Sequence, residues 1–165
     1  MPPEGRDRAE HYASIFGEER AATIRDSMAQ TARDEGLEFR WLEGARSPNT
    51  LRAHVVMALA AGNPECDESA LAEALFHAHH VDCADLGDPG VLVRLAQSVG
   101  LDGEQVRAAL DDPALEAQVR DRIGQAAARG VNGVPFFIFN ERYAVSGAQP
   151  ADALAQVIGR LTGAG

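Results

Sequence analysis

The stretch Gly130–Pro150, GVNGVPFFIFNERYAVSGAQP, decides how the chain is read. Phe136-Phe137-Ile138-Phe139 is apolar at every position, and such a short continuous run predicts a strand buried on both faces. Asn140-Glu141-Arg142 is a polar connection, and Tyr143-Ala144-Val145 makes the return strand of a hairpin. Asn140 tolerates the positive φ that a tight connection needs, though Asn-Glu is a weaker turn signal than Asn-Gly. Pro135 stands where the first strand begins, the place in a sheet where a missing N–H does least harm. By itself that position implies a trans strand-entry proline, because only about 5–6% of X-Pro bonds are cis.

Everything outward from the hairpin reads as helix or loop. Two helical stretches run from Asp7 to Gly17 and on to Gly36, with Ala21, Ile24 and Met28 at helical spacing. Leu37–Leu42 alternates apolar and polar residues and predicts a short extended segment. Asn49-Thr50 is a capping signal for a helix stopped at Gly62. Asp67 caps another that runs to about Val81, with Leu71, Leu75 and Phe76 on its apolar face. Asp88-Pro89 and Asp112-Pro113 place a cap before a proline in the first helical turn. Asp102 and Gln105 resemble a capping box, and Pro150 opens the last helix. The expectation is one domain over residues 1–165: a helical body at 7–129, then a hairpin and a helix at 130–165.

Composition narrows the function. Fifteen basic against 25 acidic residues give a net charge of −10, which argues against nucleic acid or an anionic membrane as partner. No apolar segment approaches the roughly 18–20 residues of a membrane span, and MPPEGRDRAE has no apolar signal-peptide core, so a cytoplasmic location is expected. Cys66 and Cys83 are the only cysteines and do not form a Cys-x-x-Cys motif. In a reducing compartment both are expected to be free thiols, packed as small hydrophobes.

GVNGVPFF followed by YAVSGAQP resembles the C-terminal part of the DsbA-like thioredoxin superfamily, in particular its FrnE-type cytosolic branch. The similarity runs back through DLGDPGVLVRLAQSVGLD and NTLRAH to MPPEGRDRAEHYASIFG, and so covers essentially the whole chain. The resemblance implies an α/β thioredoxin-like fold, incomplete here, with residues 7–129 as a helical insertion and 130–165 as the C-terminal core hairpin and helix. It implies that Val134-Pro135 matches the family's cis-proline loop, which binds a thiol- or disulfide-bearing protein or peptide. The activity implied is thiol-disulfide exchange without a cofactor. The family's strand, Cys-x-x-Cys helix and second strand precede the segment matching MPPEG. Neither Cys66 nor Cys83 stands at a matching position, so no catalytic residue carries over and a truncated chain is expected. An apolar strand with only a hairpin partner leaves an open edge, which predicts strand addition or a homodimer.

Other residues carry weaker signals. In HAHHVDC, His77, His79, His80 and Cys83 invite a metal reading, since residues four apart share a helix face. The spacing completes no tetrahedral set, so amphipathic imidazoles at a helix end are the preferred reading. His54 reads as a satisfied core histidine, Ser146 as a turn or cap before the last helix, and Gly130/Gly133 do not form a nucleotide loop. Two alternatives to the oxidoreductase stay open: a non-catalytic helical binding or assembly protein using the proline loop, and a glutathione-dependent isomerase relative.

Overall fold

The computed structural model describes residues 2–163. They form two compact units, divided between Arg120 and Asp121.

In the first unit, strand β1 (Arg6–Asp7) leads directly into helices α1 (Arg8–Phe16) and α2 (Glu18–Asp34). Strand β2 (Arg46–Ser47) returns antiparallel to β1, pairing Arg6 with Ser47 and Asp7 with Arg46. Gly5 makes this ladder possible: its φ is +71°, and a Cβ there would lie 2.6 Å from the Ser47 carbonyl oxygen. Helices α3 (Leu51–Ala61), α4 (Glu68–His80), α5 (Pro89–Ser98) and α6 (Gly103–Leu110) follow, and α7 (Pro113–Ala128) runs across the division between the units.

The core lies among α3, α4, α5 and α6, where Val56, Leu71, Leu92 and Val106 are fully buried. Val55, Ala109 and Val119 form a smaller second cluster. Aspartate caps set the helix starts. Asp67 accepts from the Ser69 and Ala70 amides, Asp88 from Gly90, Asp102 from Glu104 and Gln105, and Asp112 from Ala114. At α3 the bond comes from Asn49, whose Oδ1 accepts from the Leu51 amide at 3.1 Å, and not from Thr50. Helices α1 and α2 contribute little to the core, burying only Arg8 and Ala32 between them.

Several expectations change. Leu37–Leu42 is irregular and not a strand. Leu71 and Leu75 are buried as expected, but Phe76, one step round the helix from Leu75, is 66% exposed and stacks along His80. His54 is exposed, since its neighbours Ala53, Val55 and Val56 take the inward positions.

The second unit holds the end of α7, the hairpin β3 (Phe136–Phe139) and β4 (Tyr143–Ser146), and α8 (Ala151–Thr162). The register pairs Phe136 with Ser146, Phe137 with Val145, Ile138 with Ala144 and Phe139 with Tyr143. Phe137 and Phe139 lie on one face with centroids 6.4 Å apart. Among the described residues β3 pairs with β4 alone. The expectation of a strand buried on both faces is not met: no residue of β3, β4 or α8 is buried, and Ile138 is 51% exposed. Ser146 ends β4 and does not cap α8; its carbonyl accepts from Gln149 Nε2 at 3.2 Å.

The turn is closed by the Arg142 amide donating to the Phe139 carbonyl at 3.1 Å, with both Asn140 (φ 50°) and Glu141 (φ 56°) left-handed. A left-handed glutamate costs of order 1 kcal/mol, which glycine avoids. Glu141→Gly creates the Asn-Gly pair preferred in such turns. It is expected to slow amide exchange across the hairpin by about threefold to fivefold. Unchanged or faster exchange would show that Glu141 carries no strain.

Candidate functional site

The site begins with the loop that ends at β3. The Val134–Pro135 peptide is cis, not the trans form that base rates favour. Pro135 has no N–H to give, but its carbonyl accepts from the Gly147 amide at 2.8 Å and so extends the hairpin by one rung. Val134, one residue earlier, is 88% exposed. Among the described residues no hydrogen bond engages its backbone N–H or C=O. The loop therefore offers a donor, an acceptor and an apolar side chain beside the open edge of an aromatic strand. An extended peptide uses groups of this kind to add to a sheet.

The cysteines both belong to the first unit. Cys66 is half-buried against the helical core, and Cys83 is half-buried just beyond α4, with its thiol donating to the Arg40 carbonyl at 3.1 Å. Both are free, and neither belongs to a Cys-x-x-Cys pair.

The histidine cluster separates into three environments. α4 ends at His80, and Cys83 has a φ of 53°, so the four-residue spacing from His79 to Cys83 is not a helical one. Exposed His77 reaches Asp82 at 3.3 Å. His80 stacks on Phe39 with centroids 4.3 Å apart. His79 faces the guanidinium of Arg8, whose Nη2 lies 3.3 Å from each ring nitrogen. Among the described residues no group of three or more His, Cys, Asp or Glu side chains is placed to hold a metal.

Arg8 is the feature that sequence reading missed. It is only 5% exposed, and its partners are neutral. Nε and Nη2 donate to the Arg46 carbonyl at 3.3 and 3.2 Å, Nη2 also to the His79 carbonyl at 3.2 Å, and the guanidinium lies 5.5 Å from the Trp41 ring centre. Burial, then the charge of Arg8, then His80 hold the His79 pKa down to about 4. His80 is lowered as well, by burial and then by Arg8. His79 is thus neutral at pH 7.

Comparison with known proteins places this geometry in a family. The chain matches the DSBA-like thioredoxin domain over residues 1–159 and belongs to that family. It is similar to the crystal structure of a probable DsbA oxidoreductase from Streptomyces coelicolor, with 33% identity and a TM-score of 0.84, covering 97% of this chain and 69% of that one. A candidate protein disulfide isomerase from Nitrosomonas europaea shares the fold at 20% identity and a TM-score of 0.70, covering 89% of this chain and 76% of that one. No curated protein matches the chain. The thioredoxin-like fold inferred from Gly130–Pro150 therefore holds: the chain carries eight helices and two antiparallel strand pairs among its described residues.

Proposed function

We propose that this chain supplies the helical and substrate-facing parts of a thiol-disulfide oxidoreductase of the FrnE type, acting in the cytoplasm on thiol- or disulfide-bearing proteins. The observation that carries this reading is the Val134–Pro135 loop, exposed and with an unengaged Val134 backbone beside an apolar strand. In this reading Val134 aligns an extended substrate by main-chain hydrogen bonds while Pro135 shapes the loop. Exchange itself needs a thiolate that attacks a substrate disulfide and leaves a mixed disulfide, then a second thiol that resolves it. We assign those thiols to a Cys-x-x-Cys helix outside these 165 residues, where the helix N-terminus lowers the thiol pKa. The exposed faces of β3, β4 and α8 support this reading, because a strand-bearing segment would cover them.

The test is an insulin-reduction assay on two proteins: these 165 residues, and the same chain extended by the coding sequence upstream of Met1. Turnover is expected only in the extended protein, which should carry Cys-x-x-Cys in frame. An upstream stop codon, together with peptide binding at Val134, would instead favour the non-catalytic binding protein. Left without a covering segment, the free edge of β3 is expected to drive self-association of the 165-residue chain through strand pairing. Light scattering should then report a dimer. A stable monomer that binds no apolar dye would remove that expectation.

A further inference from the structure

The first unit contains an open cleft of about 580 Å³ bounded by α1, α2 and residues 41–45. Its size is that of a ligand or peptide side-chain site. The floor is apolar and built largely from small residues, including Ala13, Ala21 and Ala22, with Tyr12 and Trp41 packed edge to face at 5.1 Å. Leu42 lines the cleft and is 57% exposed. The unfilled space follows from the sequence: alanines on the facing surfaces of α1 and α2 leave volume that a leucine would occupy, and the pair buries only two residues in total.

Three of the four exposed charged side chains that line this cleft are acidic. Glu10, Glu18 and Glu43 line the cleft and are exposed. None of the three has a cationic side chain within ion-pair distance among the described residues. The two arginines in the lining are committed elsewhere, Arg8 to carbonyls and the Trp41 face, and Arg25 to Asp26 at 3.1 Å.

The geometry points to a docking groove for a cationic amphipathic polypeptide segment, whose apolar side chains fill the alanine-lined floor while its Lys or Arg side chains meet Glu10, Glu18 and Glu43. An anionic or purely polar segment has no complement here, and a small cation alone leaves the floor empty. Such docking does not depend on redox chemistry and would hold for a non-catalytic protein of this family.

Trp41 is the only tryptophan in the chain, so the cleft carries its own reporter. The experiment titrates the 165-residue protein with a leucine/lysine amphipathic peptide of about 14 residues, four helical turns, free of aromatic residues and cysteine. Trp41 emission and calorimetry are read together. A leucine/glutamate peptide of the same pattern and spermidine serve as comparisons. Saturable binding of the cationic peptide alone is expected, with a shift in Trp41 emission and loss of affinity on raising salt. Glu10→Gln, Glu18→Gln and Glu43→Gln together are expected to weaken it by about tenfold. Glu43→Gln alone, in the irregular segment and outside any helix, should weaken it about twofold and guards against a folding defect in the triple variant.

Equal binding of the anionic peptide would overturn the proposal. So would an equal response to spermidine, binding heat without a change at Trp41, or insensitivity to the glutamine substitutions.

Discussion

Arg8→Ala is expected to destabilise the first unit by about 3 kcal/mol, more than a typical substitution removes. Arginine is rarely buried, and here the guanidinium is not matched to a carboxylate among the described residues. Its energetic value lies in what it satisfies: the carbonyls of Arg46 and His79, on β2 and at the end of α4. Removing it leaves both acceptors without that donor in a half-buried setting, at about 1–3 kcal/mol each, and removes the cation packed on Trp41. Relief of the buried charge offsets part of that loss, so the net falls below the sum. Arg8→Lys should recover less than half, because an ammonium cannot fork to two carbonyls and stack on indole at once.

The effect should be local before it is global. α1 and α2 bury only Arg8 and Ala32, and the Arg8 contacts tie the start of α1 to β2 at Arg46 and to the end of α4 at His79. Limited trypsin digestion at Arg20, Arg25 and Arg33 should accelerate in Arg8→Ala at denaturant concentrations where the core remains folded. A loss under 1 kcal/mol in urea unfolding, with unchanged proteolysis, would show that the tie is not Arg8.

This arginine also marks where sequence reading stops. Helix starts were legible because an aspartate cap is a local device: Asp67, Asp88, Asp102 and Asp112 each bond amides two or three residues on. The hairpin was legible because a short unbroken apolar run between turn residues, three of its four members phenylalanine, has few other uses. The β1–β2 ladder was not, since two-residue strands some 40 positions apart carry no periodicity and depend on a close approach at Gly5. Arg8 lies in a stretch, RDRAE, whose composition reads as solvated surface. Its burial comes from Trp41, Arg46 and His79, which are brought together only by the fold. At the candidate site, Val134 and Pro135 came from resemblance to a family motif; composition alone implied a trans bond, and the Val134–Pro135 bond is cis. The histidine cluster was visible, but its division into separate environments was not, because it depends on α4 ending at His80.

That division leads to the second large effect, an acid-dependent loss of stability centred on His79. In the folded chain its pKa is lowered to about 4 by burial, then by Arg8 and by His80, while the Ala84 backbone and Asp85 act in the opposite direction. Asp85 is itself held by Arg46 at 3.1 Å. The small pocket that His79 lines is completed by Tyr12 and Met28 from α1 and α2 and by Phe39, Arg40, Trp41 and Ser47, so Arg40 is a second cation in this lining beside Arg8. The unfolded histidine titrates near 6.5, so between pH 6.5 and 4 the unfolded chain binds a proton that the folded chain excludes. Stability therefore falls as pH drops through this window and flattens below it, where both states are protonated. Protonation also removes the ring acceptor that faces Arg8 Nη2 at 3.3 Å. His80, lowered by the same kinds of cause, acts in the same direction. Allowing for solvent screening at a half-buried ring, the loss attributable to His79 between pH 7.5 and 5 is about 1–2 kcal/mol. The measurement is the difference in urea unfolding between the parent and His79→Gln at those two pH values, which isolates this ring from every other titrating group. The glutamine variant should be flatter by that amount. In Arg8→Ala, His79 followed by NMR should titrate at higher pH, because one of the causes holding it down is gone. Parallel pH profiles for parent and His79→Gln would mean that the imidazole protonates without opposing the fold.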